Sequence, residues 1–581
     1  MGRLVGPAAL VRGHQVFSRV MMQIKPLHYL FAALSFLVAF LTYTTTMQPG
    51  IPFWDCGEFI GAAVQLGISH PPGTPLWTLV GHVGSWLAPY ADLASKYNFL
   101  SALAGSLSVL LLYLTAVKVI RVWRGEPKGL GDVLTHFGGA LIAAMSFAWS
   151  DSVWFNSSEF IVFSPGLLLI ALVLWISMIY HEKAEEPGAE RWLILGLYLI
   201  GLSMGAHQMT MLAFFPLWAI AFFRHKPTYT LGNFFGMVAV GTLFFLYIFF
   251  DVLTGFAGWL GNAKMGMAPI VILLANAFIV WFLWQKDRAL SKLLMTGALM
   301  VFLGYSTYAF VMVRGVQDPP MNQHSPTSFK IMHEYIARLQ YGEAREWPRR
   351  DDRQKEDGLH KPTWEGRPSG GGEPYSGEWD FLWRYQANHM YFRYLLWNFV
   401  GREADVQDAG VTWAHNWGLP FLVGLFGMFW HFRRDPKRFW AMLGGFMIMG
   451  LLTALYQNQQ DAQPRERDYF YVGAFWIYAM WIGIGATGLL ELLRAKLAPA
   501  KPAADDENAD WMPPVISSDD NMPKLGVAFA LALVLLPINQ MTGLVGMYAY
   551  GESFKEASKW GEYSRVHNNF PFEYAYNILQ S

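Results

Sequence analysis

Apolar runs of about 18–25 residues recur along the chain, the length a helix needs to cross roughly 30 Å of hydrocarbon. Lipid offers no partner to a backbone N–H or C=O, so runs this long fold as helices. The expected fold is an all-α polytopic membrane protein with about thirteen transmembrane helices. Of its 581 residues, 54% are hydrophobic and only 15% charged, against roughly 25% charged in soluble domains. Lys plus Arg equal Asp plus Glu at 43 each. That balance points to no nucleic-acid partner; membrane lipids are the expected surroundings. The single cysteine, Cys56, leaves no intrachain disulfide.

Basic residues orient the spans, because short cytoplasmic loops carry the excess of Lys and Arg. Arg19 and Lys25 precede the first span, 27–47, which reads as an uncleaved anchor entering from the cytoplasm. Further spans are expected at 98–120, 133–149, 161–180, 192–206, 209–223, 231–253, 268–285 and 290–313. Four more follow at 417–432, 439–456, 470–493 and 525–548. Residues 76–92, interrupted by Gly81, His82, Gly84 and Pro89, read as a re-entrant or interfacial helix. This threading puts Arg121, Arg124, Arg224, Lys226, Arg433, Arg434, Arg494 and Lys496 on one side. Lys96, Lys264, Arg465 and Arg467 are the exceptions.

The chain then divides into five parts. Residues 1–313 form an N-terminal transmembrane module with a long outer loop at 48–92. Residues 314–416 are an outer-face insertion, polar over 314–390, with an interfacial helix at 391–400. Residues 417–494 are transmembrane helices, 495–523 a Pro-, Ala- and Asp-rich cytoplasmic linker, and 524–581 the last span with an outer-face tail.

The same threading carries Asp55, Glu58, His70, Asp151, Glu159, His207, Arg465, Glu466, Arg467 and Asp468 to the outer ends of spans. Scattered polar residues gathered on one face of a membrane domain suggest a site. Asp55 and Glu58, three residues apart, share one side of a helical turn. They fit a capping box, with Asp55 capping and Glu58 reaching back. They equally fit a general base, Asp55 taking a proton from an acceptor hydroxyl. Glu159 closes a Ser-Ser-Glu loop and reads as a local cap or a substrate ligand. Arg465-Glu466-Arg467-Asp468 reads as a self-neutralising run or as two guanidinium groups for a lipid phosphate. His70 and His207 are lone imidazoles, and no zinc or phosphate-loop spacing occurs. Gly201 and Gly205 form a Gly-x-x-x-Gly, a helix-packing signal. Paired acids allow Mg²⁺ or Mn²⁺, and no cofactor is otherwise indicated.

Four stretches resemble a family. They are Phe53-Trp54-Asp55-Cys56-Gly57-Glu58-Phe59 with His70-Pro71-Pro72-Gly73, and Gly201-Leu202-Ser203-Met204-Gly205-Ala206-His207. The others are Gly304-Tyr305-Ser306-Thr307 with Asp318-Pro319-Pro320-Met321, and Gln463-Pro464-Arg465-Glu466-Arg467-Asp468-Tyr469. An acidic pair in a long outer loop after span one resembles the GT-C superfamily of membrane glycosyltransferases. More closely, the chain resembles a bacterial polytopic family of unknown-function proteins related to transmembrane protein O-mannosyltransferase. The resemblance implies a GT-C-like architecture in a bacterial inner membrane, with the active site on the periplasmic face. It implies transfer of a sugar, mannose at family level, from a polyprenyl-phosphate lipid to a hydroxyl of an exported protein or glycan. Asp55 and Glu58 would be catalytic, with Asp55 the base. His70, Glu159, His207, Arg465 and Arg467 would bind substrate, the two arginines at the lipid phosphate.

Two other classes fit the composition. A transporter or lipid flippase would also have many spans, but it favours acids within them and internal repeats. A non-catalytic assembly subunit would use the 314–390 insertion as its binding surface and tolerate loss of the outer-face acids.

Overall fold

The computed structural model describes residues 7–226, 230–261, 278, 281–282, 284–285, 288–341, 372–404, 406–414, 416–461, 463, 465–497 and 524–550. The described residues form helices joined by turns and loops, and no β-strand occurs among them. Nine helices among them are long and apolar enough to cross a bilayer, and the protein is an integral multi-pass membrane protein. Nine of the expected spans fall on these helices. The spans expected at 192–206, 209–223 and 417–432 fall on shorter helices of 14, 12 and 16 residues. The span expected at 268–285 lies mostly outside the described residues, as do the linker 498–523 and the tail 551–581.

The helices that position the site are, in chain order, α1 (Pro7–Thr46), α2 (Cys56–Gln65), α3 (Pro75–Gly84), α4 (Leu93–Arg124) and α5 (Leu130–Ala148). Then come α6 (Asp151–Ser157), α7 (Phe163–Lys183), α8 (Glu190–Ser203), α9 (Phe214–His225), α10 (Leu231–Leu246) and α11 (Arg288–Tyr305). After α12 (Ala309–Gln317) and α13 (Phe329–Ile336), a π-helical stretch Phe381–Phe392 leads into α14 (Arg393–Phe399). The last are α15 (Leu419–Arg434), α16 (Pro436–Met447), α17 (Val472–Leu497) and α18 (Lys524–Tyr550).

Helix α17 is the buried axis, with Trp476 and Trp481 fully enclosed. Lipid tails give no hydrophobic drive between helices, so close backbone approach at small residues does the packing. A Cβ on Gly427 of α15 would lie 1.8 Å from the Trp481 carbonyl oxygen, so only glycine lets α15 reach α17 there. Residues 391–400, expected as an interfacial helix, are instead the buried end of the longer segment that begins at Glu378. Arg393, Tyr394, Trp397 and Asn398 are all enclosed by protein.

The basic ends of the helices meet. Arg124 donates to Glu491 at 2.6 Å and to Asp132 at 3.0 Å, and Arg494 donates to Asp132 at 2.7 Å. Arg434 and the Trp430 indole also reach Glu491, at 3.2 and 3.0 Å. Arg438 joins His181 at 3.1 Å, and Arg224 donates to the His181 carbonyl. The ends of α4, α5, α7, α9, α15, α16 and α17 thus share one basic end. The acids chosen from the sequence collect at the other.

Candidate functional site in the first loop

The loop after α1 is fastened before it is functional. The Asn98 amide donates to the carbonyls of Gln48 at 2.7 Å and Gly50 at 3.1 Å, and its oxygen accepts from the Phe160 N–H at 2.9 Å. One buried side chain at the start of α4 therefore ties the start of the first loop to the turn bearing Glu159. Trp54 follows with φ of +66°. Such a backbone is strained for an aromatic residue, and strain of this kind concentrates at functional positions. It sets Asp55 at the head of α2.

Asp55 makes no capping bond, so the capping-box reading does not hold. Its carboxylate instead accepts from Arg465, 410 residues away. The guanidinium lies 5.5 Å from the Trp54 ring and 5.2 Å from the Tyr469 ring, within cation–π range of both. Glu58 turns the other way. It accepts from the His70 backbone N–H and meets the His70 Nδ1 at 3.0 Å. The two acids of one helical turn therefore do different things: one faces a cation, the other closes the loop.

Glu159 is buried and hydrogen-bonded to the Cys56 thiol. Burial pushes its carboxyl up to about 8, against the opposing pull of Arg465 and the thiol. Burial also pushes the Cys56 thiol up, so it stays a donor. Asp151 pairs with Arg402 at 3.4 Å, and Arg402 lies 4.2 Å from the Trp397 ring. Trp54, Asp151, Glu159, Arg402, Arg465 and Tyr469 are among the residues lining one cavity of about 490 Å³, its open mouth included.

The charged run 465–468 does not neutralise itself. Glu466 accepts from Arg393 at 2.9 Å, from the Tyr394 hydroxyl at 2.7 Å and from the Asp408 N–H. The Arg467 guanidinium donates to the Tyr469 hydroxyl at 2.6 Å and to Gln463 at 3.1 Å. Asp468 takes a hydrogen bond from Ser152. Each of the four charges thus has its own partner.

His207 occupies an apolar corner, 5.3 Å from the Phe163 ring and 5.9 Å from that of Phe470. Burial pulls its pKa down to about 3, with Arg338 and His70 adding to the shift, so the ring is neutral. It lines a second, mainly apolar cavity of about 350 Å³, mouth included, between residues of α7, α17 and the turn Gln208–Ala213. Tyr469 borders both cavities and stacks on Phe163 at 3.8 Å.

The remaining motif stretches arrive from further along the chain. The Ile68 N–H donates to the Met321 carbonyl at 2.8 Å, and Tyr335 donates to the Ser69 carbonyl at 2.6 Å. Arg314 donates to the Leu66 carbonyl at 2.7 Å. The Leu76 N–H donates to the Gly205 carbonyl at 2.8 Å. All four motif stretches therefore meet around one loop. Asn98, Trp54, Arg393, Tyr394 and Arg402 were not chosen from the sequence. Arg393 had a signal, as a lone cation in the aromatic run Tyr391-Phe392-Arg393-Tyr394.

Among the described residues, no three His, Cys, Asp or Glu side chains converge as a metal set. The donors present do not suit a hard dication, which asks for about six oxygens. Asp55 faces a guanidinium, and Glu159 holds its proton to about pH 8.

Residues 55–230 match the family model described as the Protein O-mannosyl-transferase TMEM260 N-terminal domain. The chain is 30% identical over 162 residues to Protein O-mannosyl-transferase TMEM260 of Mus musculus, covering 28% of this chain and 21% of that protein. It is 31% identical over 149 residues to the Dictyostelium discoideum protein of the same description, covering 25% of this chain and 16% of that one. The match thus spans about a fifth or less of each relative. Among solved structures, the apo Archaeoglobus fulgidus oligosaccharyltransferase aligns over 91% of this chain and 59% of its own, with 14% identity and a TM-score of 0.43. ArnT from Cupriavidus metallidurans, bound to undecaprenyl phosphate, aligns over 93% of this chain and 73% of its own, with 12% identity and a TM-score of 0.39. The segment that holds Asp55, Glu58, His70, Glu159 and His207 is the matched one, and over that segment the chain is similar to the TMEM260 protein O-mannosyl-transferases.

Proposed function

We propose that the protein is a GT-C-type membrane glycosyltransferase that moves a sugar from a polyprenyl-phosphate lipid to a hydroxyl of an exported protein or glycan. The sugar is mannose on the strength of the relatives' description. The site faces the outside of the cytoplasmic membrane, opposite the basic helix ends.

One observation carries the reading. A carboxylate, Asp55, meets a guanidinium, Arg465, that lines a cavity with charged side chains in its wall, and this cavity shares Tyr469 with an apolar one among the spans. A polyprenyl-phosphate sugar has those two halves. In the reaction Asp55 accepts the proton of the acceptor hydroxyl. The hydroxyl oxygen bonds to the anomeric carbon as the carbon–oxygen bond to phosphate breaks. The phosphate leaves with the electron pair, and Arg465 and Arg467 stabilise its charge. A single displacement inverts the anomeric centre. Glu58, through His70, shapes the acceptor side of the loop, and the neutral Glu159 can donate a hydrogen bond to sugar or phosphate. The acids lie in loops at the span ends rather than within spans, which favours an enzyme over a transporter.

The test is transfer of radiolabelled mannose from polyprenyl-phosphate mannose to a Ser/Thr-rich exported protein, by purified protein in nanodiscs, with and without EDTA. The expected result is transfer by the wild type, with Asp55→Asn folded but slower by about 10²–10⁴-fold. Full activity in Asp55→Asn would remove Asp55 from the mechanism. Donor binding without turnover under any acceptor would favour the non-catalytic subunit.

A further inference from the structure

Arg465 is claimed twice. The reading above gives it to the leaving phosphate, and the structure gives it to Asp55. A carboxylate whose oxygen already accepts from a guanidinium has that lone pair engaged and its charge compensated. In that state it is badly placed to receive a hydroxyl proton.

We infer that Arg465 is an exchange group: it holds Asp55 in the empty site and passes to the donor's phosphate when the lipid binds, releasing Asp55 as the base. The inference rests on the donor being a lipid phosphate. Three observations favour an exchange over a fixed salt bridge. The Arg465 side chain is 12% exposed and that of Asp55 36%, so the pair sits at the rim of solvent and can open. The guanidinium lies within cation–π range of the rings of Trp54 and Tyr469, two surfaces that retain a cation while it turns to a new partner. Arg465, Trp54 and Tyr469 also line the cavity with the charged wall, so a phosphate seated there meets the guanidinium. Arg467 differs, because the Tyr469 hydroxyl and Gln463 hold its guanidinium.

The exchange makes donor and acceptor binding ordered. Until a phosphate takes Arg465, an acceptor hydroxyl finds its base occupied. It also predicts how the two residues couple. Asp55 competes with phosphate for Arg465, so removing the Asp55 charge should tighten phosphate binding. That gain should exist only while Arg465 is present. Simple loss of repulsion between Asp55 and phosphate would give a gain that does not need Arg465.

The experiment measures binding of undecaprenyl phosphate to the protein in nanodiscs, by tryptophan fluorescence, for wild type, Asp55→Asn, Arg465→Gln and the double variant. Asp55→Asn is expected to bind tighter by roughly 5- to 150-fold, the usual size of a coupling between sites. Arg465→Gln is expected to bind weaker, and the double variant to match Arg465→Gln within about twofold, the scatter expected where no coupling remains. Arg465→Lys keeps the charge and should fall between wild type and Arg465→Gln, which keeps the test available if the glutamine variant fails to fold. A gain from Asp55→Asn that persists in the double variant overturns the exchange. So does an Asp55→Asn variant that binds like wild type. If the wild type does not bind undecaprenyl phosphate, the lipid-phosphate reading falls and takes the exchange with it. Binding without the Arg465-dependent gain removes the exchange alone.

Discussion

Glu58 grips His70 at two points, its Oε2 3.0 Å from the ring Nδ1 and its Oε1 taking the backbone N–H of the same residue. The two residues are twelve positions apart, and the chain between them folds back as α2 and the turn after it. One carboxylate thus closes the loop on which Asp55 sits at the other end.

The closure can be tested with two variants. Glu58→Ala removes both acceptors and should cost about 1.5–3 kcal/mol of stability, the range for hydrogen bonds to a charged group. Glu58→Gln keeps one acceptor and should recover part of the loss. Thermal unfolding in detergent reads the difference. Equal midpoints for Glu58→Ala and wild type would show that the contact does not hold the loop.

The opposite end of the molecule offers a separate check. Glu491 accepts from Arg124, Arg434, Trp123 and Trp430 while almost fully buried. Breaking a buried ion pair by removing one partner leaves an uncompensated charge, at a cost of about 3–5 kcal/mol. Glu491→Gln should lose that much stability. The loss should be the same in low and high salt, because buried charges are little screened. An effect that shrinks with salt would place the network in water.

Much of this was legible in the amino-acid order. Nine of the expected spans coincide with helices long enough to cross a bilayer, because hydrocarbon thickness fixes helix length with little help from tertiary structure. Asp55 and Arg465 were each singled out from the sequence. That they touch was not legible, since 410 residues separate them and no local rule reaches that far. Local rules also misled. The Asp-x-x-Glu spacing is a capping-box pattern, yet Glu58 bonds His70 because the returning loop brings an imidazole and an N–H within reach. Arg393 and Tyr394 read as an interfacial aromatic stretch. They are buried because Glu466 needs their donors. Asn98 is the first residue of the expected span 98–120, and only the fold shows that three loop groups depend on it.

The Gly-x-x-x-Gly pattern can be tested in the same way. A Cβ on Gly201 would stand 2.0 Å from the Val301 carbonyl oxygen, and one on Gly304 would stand 2.3 Å from that of Tyr198. Helices α8 and α11 therefore touch backbone to backbone. Gly201→Val should force them apart, costing about 1–3 kcal/mol or more as overpacking does. Gly232→Ala, where nothing lies within 4 Å, is the control and should be neutral or better. Similar detergent stability for the two variants would contradict the contact.

Glu159 gives the pH test. Its carboxyl is raised from 4.5 to about 8, first by burial. Below about pH 4.5 the group is protonated in both folded and unfolded chains, and it adds no pH dependence. Between about 4.5 and 8 the unfolded chain releases the proton while the folded one keeps it. The folded state then binds more protons, so stability falls as pH rises through that window and levels off above it. The total loss is on the order of a few kcal/mol, at 1.36 kcal/mol per pKa unit. Glu159→Gln keeps the size of the side chain and cannot ionise. It should match wild type at about pH 5, near the low end of the window. It should become progressively more stable than wild type toward about pH 8.5, where the penalty is complete. Unfolding midpoints for the two proteins across that range decide it. Parallel curves would mean that Glu159 is ionised in the folded protein and that its charge is balanced within the site.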